Sequence, residues 1–249
     1  MDDIQQQILI RPKTTARRPL LGLTILLVED SKYCSESMRL LSIRSGARLR
    51  RADCLRAARK HLKIYRPDVV IVDMGLPDGS GVDIMRDIAK SCVPMPAIIA
   101  TSGVLGGTER ACAKKAGATL FMEKPVTDLA QFQQIILAGL PNELKPSGFS
   151  PRLTGVTVTP DAQALQDDME HIQQMLLEAD ETDKTPSLRY AAQFLASLAR
   201  EANSKRIQKA ATNIDGFANS GTATPENIRE QMVLIRGAVD QRLAQSVQM

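Results

Sequence analysis

Hydrophobic positions follow two rhythms along the chain. Up to about residue 140, short apolar runs rich in β-branched residues alternate with segments of helical spacing; past residue 160 only the helical spacing persists. Thr24-Ile25-Leu26-Leu27-Val28, residues 68–73 ending in Val70-Ile71-Val72-Asp73, Ala97-Ile98-Ile99-Ala100-Thr101-Ser102 and Thr119-Leu120-Phe121-Met122 need both faces buried, as strands of a parallel sheet do. Arg48-Leu49-Arg50-Arg51-Ala52 alternates weakly and reads as a polar edge strand. Helices are predicted in the intervals: one with Met38 and Leu41 inward, closing near Gly46; one from Leu55 to Tyr65; one with Val82, Met85 and Ile88; one from Thr108 to Ala116; and one with Leu129, Phe132, Ile135 and Ile136. Alternation of five strands with five helices predicts an α/β domain on a doubly wound, five-stranded parallel sheet. Right-handed crossovers then bring every strand's carboxyl end to one edge.

This domain is assigned residues 21–140. Residues 1–20 mix Gln, Arg, Lys, Thr and Pro without periodicity and are expected to form a flexible basic arm. Pro141 to Pro151 is rich in breakers, and residues 141–159 read as a linker. Four amphipathic stripes follow: Leu165, Met169, Ile172, Leu176; Leu188, Ala191, Leu195, Leu198, Ala202; Ile207, Ala210, Ala211, Ile214, Phe217; and Ile228, Met232, Ile235, Val239, Leu243, the last opened by Thr224-Pro225-Glu226. Residues 160–249 are therefore expected to form an all-α, four-helix-bundle-like domain.

Composition narrows the function classes. A chain that is 43% hydrophobic and 24% charged is globular, and 3% aromatic residues with no Trp argue against stacking platforms for single-stranded nucleic acid. The net charge of +4 is uneven, with basic residues in excess through residue 150 and acidic ones beyond. The Arg-rich stretch from Arg44 to Arg66 reads as a solvated face, and the helical part has neither a winged pattern nor a basic recognition helix, which argues against DNA binding. Cys34, Cys54, Cys92 and Cys112 lack C-x-x-C pairing and read as free thiols in a reducing compartment. No apolar run reaches a membrane span, so a cytoplasmic protein is expected.

The predicted sheet edge gathers Glu29, Asp30, Asp73, Ser102 and Lys124 from four strand ends. A strand-end Asp can merely cap the next helix, but three clustered carboxylates repel one another unless a cation joins them. Hard oxygen ligands suit Mg²⁺, and a hydroxyl with an ammonium beside it would meet the remaining oxygens of a phosphoryl group. Asp73 is the candidate nucleophile, because it lies on the middle strand and precedes the Pro/Gly turn Leu76-Pro77-Asp78-Gly79, whose backbone N–H groups can face an incoming phosphoryl group.

At these residues the chain resembles the receiver domain of two-component response regulators, the CheY-like fold, over residues of about 22–140. Glu29-Asp30 matches the family's acidic pair, Asp73 its phosphoacceptor, Ser102 its switch hydroxyl, Lys124-Pro125 its Lys-Pro and Phe121 its switch aromatic. Departures are Glu for the first Asp, Ser for the commoner Thr and the Arg-rich second strand. The resemblance implies Mg²⁺-dependent phosphorylation of Asp73, with Glu29, Asp30 and Asp73 as metal ligands and Lys124 and Ser102 at the phosphoryl group. It also implies a histidine kinase or histidine-phosphotransfer protein as partner, a possible homodimer, and no enzymatic activity beyond the domain's own phosphoryl acceptance and hydrolysis.

Ala192-Gln193-Phe194-Leu195-Ala196-Ser197-Leu198-Ala199 is similar to the histidine-phosphotransfer pattern A-H-x-L-K-G-x-A, with Gln193 in place of the phosphorylated His. An amide cannot form the phosphoramidate, so the bundle would be a pseudo-phosphotransfer module. Phosphorylation is expected to switch the bundle's interactions, with the bundle docking on the face of the fourth and fifth receiver helices in one state. Alternatives are a relay enzyme acting on phosphohistidine, with His171 as carrier, and a DNA-associated regulator.

Overall fold

The computed structural model describes residues 13–103, 107–145, 155–178 and 185–246. Five strands, β1 (Thr24–Val28), β2 (Arg48–Ala52), β3 (Val69–Asp73), β6 (Ala97–Ser102) and β7 (Leu120–Glu123), form one parallel sheet in the order β2-β1-β3-β6-β7. A two-stranded hairpin, β4 (Gly75–Leu76) with β5 (Gly79–Ser80), is inserted directly after β3. The sequence reading had only a turn there. Crossover helices are α1 (Lys32–Ser45), α2 (Leu55–Ile64), α3 (Gly81–Ser91), α4 (Gly107–Lys115) and α5 (Leu129–Gly139).

Strict alternation along the strands divides the core in two. Ile25, Leu27, Val69, Ile71, Ala97 and Ile99 meet Met38 and Leu41 of α1 and Leu129, Phe132 and Ile136 of α5 on one face. Leu26, Val28, Val70, Val72, Ile98 and Ala100 meet α2, α3 and α4 on the other. Period-two burial on both sides is what the continuous β-branched runs require. Edge strand β2 leaves its three arginines exposed, as its composition dictates.

Polar side chains fix the helix starts. Ser31 Oγ accepts from Cys34 N at 3.0 Å at the head of α1, and Asp128 Oδ1 accepts from Gln131 N at 2.7 Å at the head of α5. Gly46, at φ 87, closes α1 in the left-handed conformation.

Four further helices, α6 (Ala162–Glu178), α7 (Thr185–Glu201), α8 (Lys205–Ser220) and α9 (Pro225–Ser246), follow. Each packs on two others, α6 and α8 both lying against α7 and α9. The predicted stripes are the buried ones: Leu165, Ile172, Leu188, Leu195, Leu198, Ile207, Ile214 and Ile235 share one core. Much of that core is alanine. The Leu243 side chain lies outside the described residues.

Two expected boundaries change. In the predicted arm, residues 1–12 lie outside the described residues, but Leu20 is fully buried and its N–H bonds Ser45 O, so the segment before β1 seals the bottom of the core. In the predicted linker, residues 146–154 lie outside the described residues, whereas Val156 and Val158 pack on the α5 core and pair with Leu129 and Thr127. These backbone hydrogen bonds tie the chain down immediately before α6.

Candidate functional site

Carboxylates and an ammonium meet where the strands end, as the topology requires. Glu29 and Asp30 follow β1, Asp73 closes β3, Ser102 closes β6 and Lys124 follows β7. Ligand oxygens of Glu29, Asp30 and Asp73 lie within 4.8 Å of one another. Lys124 Nζ is 2.7 Å from Glu29 Oε2 and 3.1 Å from Asp73 Oδ1. Ser102 is buried beside it, its carbonyl accepting from Lys124 N at 3.3 Å. Neighbouring Thr101 is buried with no hydrogen-bond partner for its hydroxyl among the described residues. Phe121 is half-buried on β7, beneath the Arg110 guanidinium at 5.1 Å, and Arg110 pairs with Glu123. All six residues picked from sequence are thus brought to this edge or next to it.

Burial sets the electrostatics. It raises the Glu29 carboxyl well above its usual range, with Asp73 and Asp30 adding to the rise and Lys124 opposing it. Asp30 is pushed up to about 7, again by burial and then by Asp73. For Lys124, burial works against the charged form, but Asp73, Cys34 and Glu29 together outweigh it and hold the pKa above the ordinary lysine value. Three acids facing one ammonium remain short of positive charge. A divalent cation fits that deficit and the all-oxygen donor set.

Sequence reasoning missed what covers this edge. Helix α7 lies across the strand ends and meets them in turn with one polar stripe. Tyr190 OH donates to Asp30 Oδ2 at 2.5 Å beyond β1. The Gln193 amide fills the space where a β-carbon on Gly75, just past β3, would sit. Ser197 lies against Gly103, just past β6, and accepts from Lys124 Nζ at 2.9 Å. Glu201 Oε2 accepts from Val126 N at 3.0 Å, beyond β7. The signal was present as polar residues at 190, 193, 197 and 201, opposite the apolar stripe of the same helix.

Helix α6 anchors the same arrangement. The Asp168 carboxylate accepts from Ser31 Oγ at 2.7 Å, Lys32 N at 2.7 Å and Tyr33 N at 3.0 Å, capping α1 from outside. Tyr33 is fully buried, and it belongs to the helical core with Leu165 and Leu195 rather than to either face of the sheet. The expected docking face on the fourth and fifth receiver helices is therefore corrected: Leu129, Phe132 and Ile136 are spent in the sheet core and the helical part sits on α1, β4 and the acidic edge.

A cavity of about 660 Å³ opens beside the edge, lined among others by Asp30, Lys32, Arg51, Arg56, Asp168 and His171. Of the three acids only Asp30 lines it. His171 is exposed at its mouth, with its ring edge-on to Phe194.

Residues 25–136 match the family model described as the response regulator receiver domain. The chain is similar to the KDP operon transcriptional regulatory protein KdpE of Escherichia coli (strain K12), 31% identical over 102 residues that cover 41% of this chain and 44% of that protein. It is also similar to the virulence transcriptional regulatory protein PhoP of Salmonella typhimurium (strain 14028s / SGSC 2262), 30% identical over 101 residues, 41% of this chain and 45% of that protein. The chain thus spans less than half the length of these relatives. Among solved structures, the receiver domain of sensor histidine kinase PA1611 from Pseudomonas aeruginosa PAO1 aligns over 47% of this chain and 97% of its own at 25% identity, with a TM-score of 0.44. Among the described residues, no helix is long and apolar enough to cross a membrane.

Proposed function

Since residues 25–136 are a response regulator receiver domain of CheY-like fold, we propose that this chain is a phosphoryl-accepting signalling switch with Asp73 as acceptor. The observation that carries the reading is the juxtaposition of Asp73 with Lys124 at 3.1 Å inside a trio of carboxylates, Glu29 and Asp73 buried and Asp30 half-buried at the cavity. An Asp73 carboxylate oxygen attacks phosphorus, a P–O or P–N bond to the donor breaks, and the leaving group takes the electron pair. Lys124 supplies positive charge to the phosphoryl oxygens and Ser102 supplies a hydroxyl. Glu29, Asp30 and Asp73 would hold Mg²⁺, whose charge offsets that of the acids and of the phosphoryl group.

Donors of matching chemistry are a histidine kinase or a histidine-phosphotransfer protein, acting from the cytoplasm. Beyond accepting the phosphoryl group and hydrolysing the resulting aspartyl phosphate with water, no catalytic activity is assigned. The helical part is the output element, and the position of Gln193 over Gly75, two residues past Asp73, supports reading it as a pseudo-phosphotransfer bundle. Phe121, stacked under Arg110, is the residue through which the phosphorylated state would reach the outer surface. Acetyl phosphate with Mg²⁺ should add one phosphoryl group, seen by intact mass, and Asp73→Asn should abolish it. Labelling that persists in Asp73→Asn would refute the assignment.

A further inference from the structure

A phosphoryl donor must bring its phosphorus in line with an Asp73 oxygen from the open side of the strand ends, because the sheet and its helices close every other approach. That side is where α7 lies. With the helical part in place Asp73 is 5% exposed and Lys124 4%. The groups a phosphoryl transfer requires are already engaged: Asp30 by Tyr190 and Lys124 by Ser197.

We propose that the helical part is a cap on its own receiver, and that docking of α7 and occupation of the acceptor site by cation plus phosphoryl group exclude each other. The inference rests on Asp73 being the acceptor and adds the regulation of that site. Linkage makes the exclusion reciprocal: whatever opens the cap favours phosphorylation, and phosphorylation opens the cap. Gln193 makes the docked helix an unreactive one, since an amide at the position nearest the acceptor turn has no phosphoryl group to give.

The interface has the composition of one that comes apart. It is held by charged and polar groups, the Tyr190 hydroxyl among them, around the inserted ring of Tyr33, whereas interfaces that never open are predominantly apolar. One of its carboxylate oxygens, Glu201 Oε1, is buried without a hydrogen-bond partner among the described residues, a deficit that undocking relieves. A close backbone approach is made possible by Gly103, where a β-carbon would collide with the Ser197 backbone.

Three receiver amides report docking, because Lys32 N and Tyr33 N are held by Asp168 and Val126 N by Glu201. In the full chain, beryllofluoride with Mg²⁺ should speed hydrogen exchange at these three amides by roughly tenfold or more, the loss of one or two buried charge-assisted hydrogen bonds, and leave Val70 to Val72 of β3 unchanged. Tyr33→Ala withdraws the inserted ring, and Gly103→Ala drives a methyl group into α7; both should exchange fast at the reporter amides without beryllofluoride. Both should also take phosphoryl from acetyl phosphate about tenfold faster than the parent chain, by the same loss of docking contacts. Stoichiometric phosphoryl or beryllofluoride uptake with the three amides still protected would overturn the cap and leave Asp73 as acceptor, as would parent-like labelling rates in both variants. Absence of uptake in the parent and in both variants would overturn the acceptor assignment, and the cap with it. Uptake confined to the variants would support both.

Discussion

The two halves of this molecule hold themselves together by opposite means. Between sheet and helices the receiver packs large aliphatic and aromatic side chains, Ile71, Ile99, Leu129 and Phe132 among them, into deep layers. The helical part mixes its aliphatic side chains with many alanines, Ala191, Ala199, Ala210, Ala211 and Ala238 among them, and small side chains of this kind let helices approach closely. A sheet with helices on both faces leaves wide gaps that only bulky residues fill; four helices brought close leave narrow ones. The halves therefore fail in opposite ways, the first by emptying and the second by overfilling. The surface between them belongs to neither type. It is polar and matched group by group, and it gives specificity of placement more than strength.

Mutations can break this contrast, and the largest effect is expected in the receiver. Phe132→Ala should cost about 3–5 kcal/mol, because a fully buried ring leaves a cavity that sheet and helix cannot close. Denaturant melts that follow the receiver transition would show it. Enlarging a fully buried bundle alanine, as in Ala210→Leu, should cost about 1–3 kcal/mol through forced separation of helices, read by the same melts in the second half. Equal and small effects of the two substitutions would remove the distinction between the cores.

The polar surface between the halves is best examined by pH. Asp30, held at about 7, keeps its proton in the folded protein where an unfolded carboxyl has already lost it. Asp30 should accordingly make the stability of the metal-free protein fall as pH rises from about 4 to about 7, since in that window the folded state binds the extra proton, and the Glu29 carboxyl, raised by the same burial, adds a fall of the same sign. Mg²⁺ needs the ionised forms of Asp30 and Glu29, so its affinity should rise by about tenfold or more per unit as pH approaches 7. Calorimetric titration at pH 6 and 8 checks the sign, and Asp30→Asn should flatten the slope, leaving the part that the buried Glu29 carboxyl contributes.

Smallest of all should be the effect of His171→Ala. The side chain is exposed at the cavity mouth, and its loss should change stability by less than about 0.5 kcal/mol and leave acetyl phosphate labelling of Asp73 intact. Labelling that disappears would revive a phosphoryl relay through this residue and make the helical half a participant in the chemistry.

From sequence alone, the period-two runs of β1, β3 and β6 determined the sheet, because residues such as Ile25 and Leu26 must face opposite layers and both layers had to be covered. Topology then left no freedom in where Glu29, Asp30, Asp73, Ser102 and Lys124 would meet. The four helical stripes were legible for the same reason, since an apolar face must find a partner. Which surface the bundle would choose was not legible. Apolar periodicity marks what is buried within a unit, and Tyr190, Gln193, Ser197 and Asp168 are polar residues that read as solvent-facing until the strand ends are placed opposite them. Tyr33 shows the limit most plainly: the inward face expected of α1 was that of Met38 and Leu41, and only the tertiary structure reveals that Tyr33 enters a core belonging to the other half of the chain. Long-range complementarity between polar groups leaves no period in a sequence, and it was decided by packing alone.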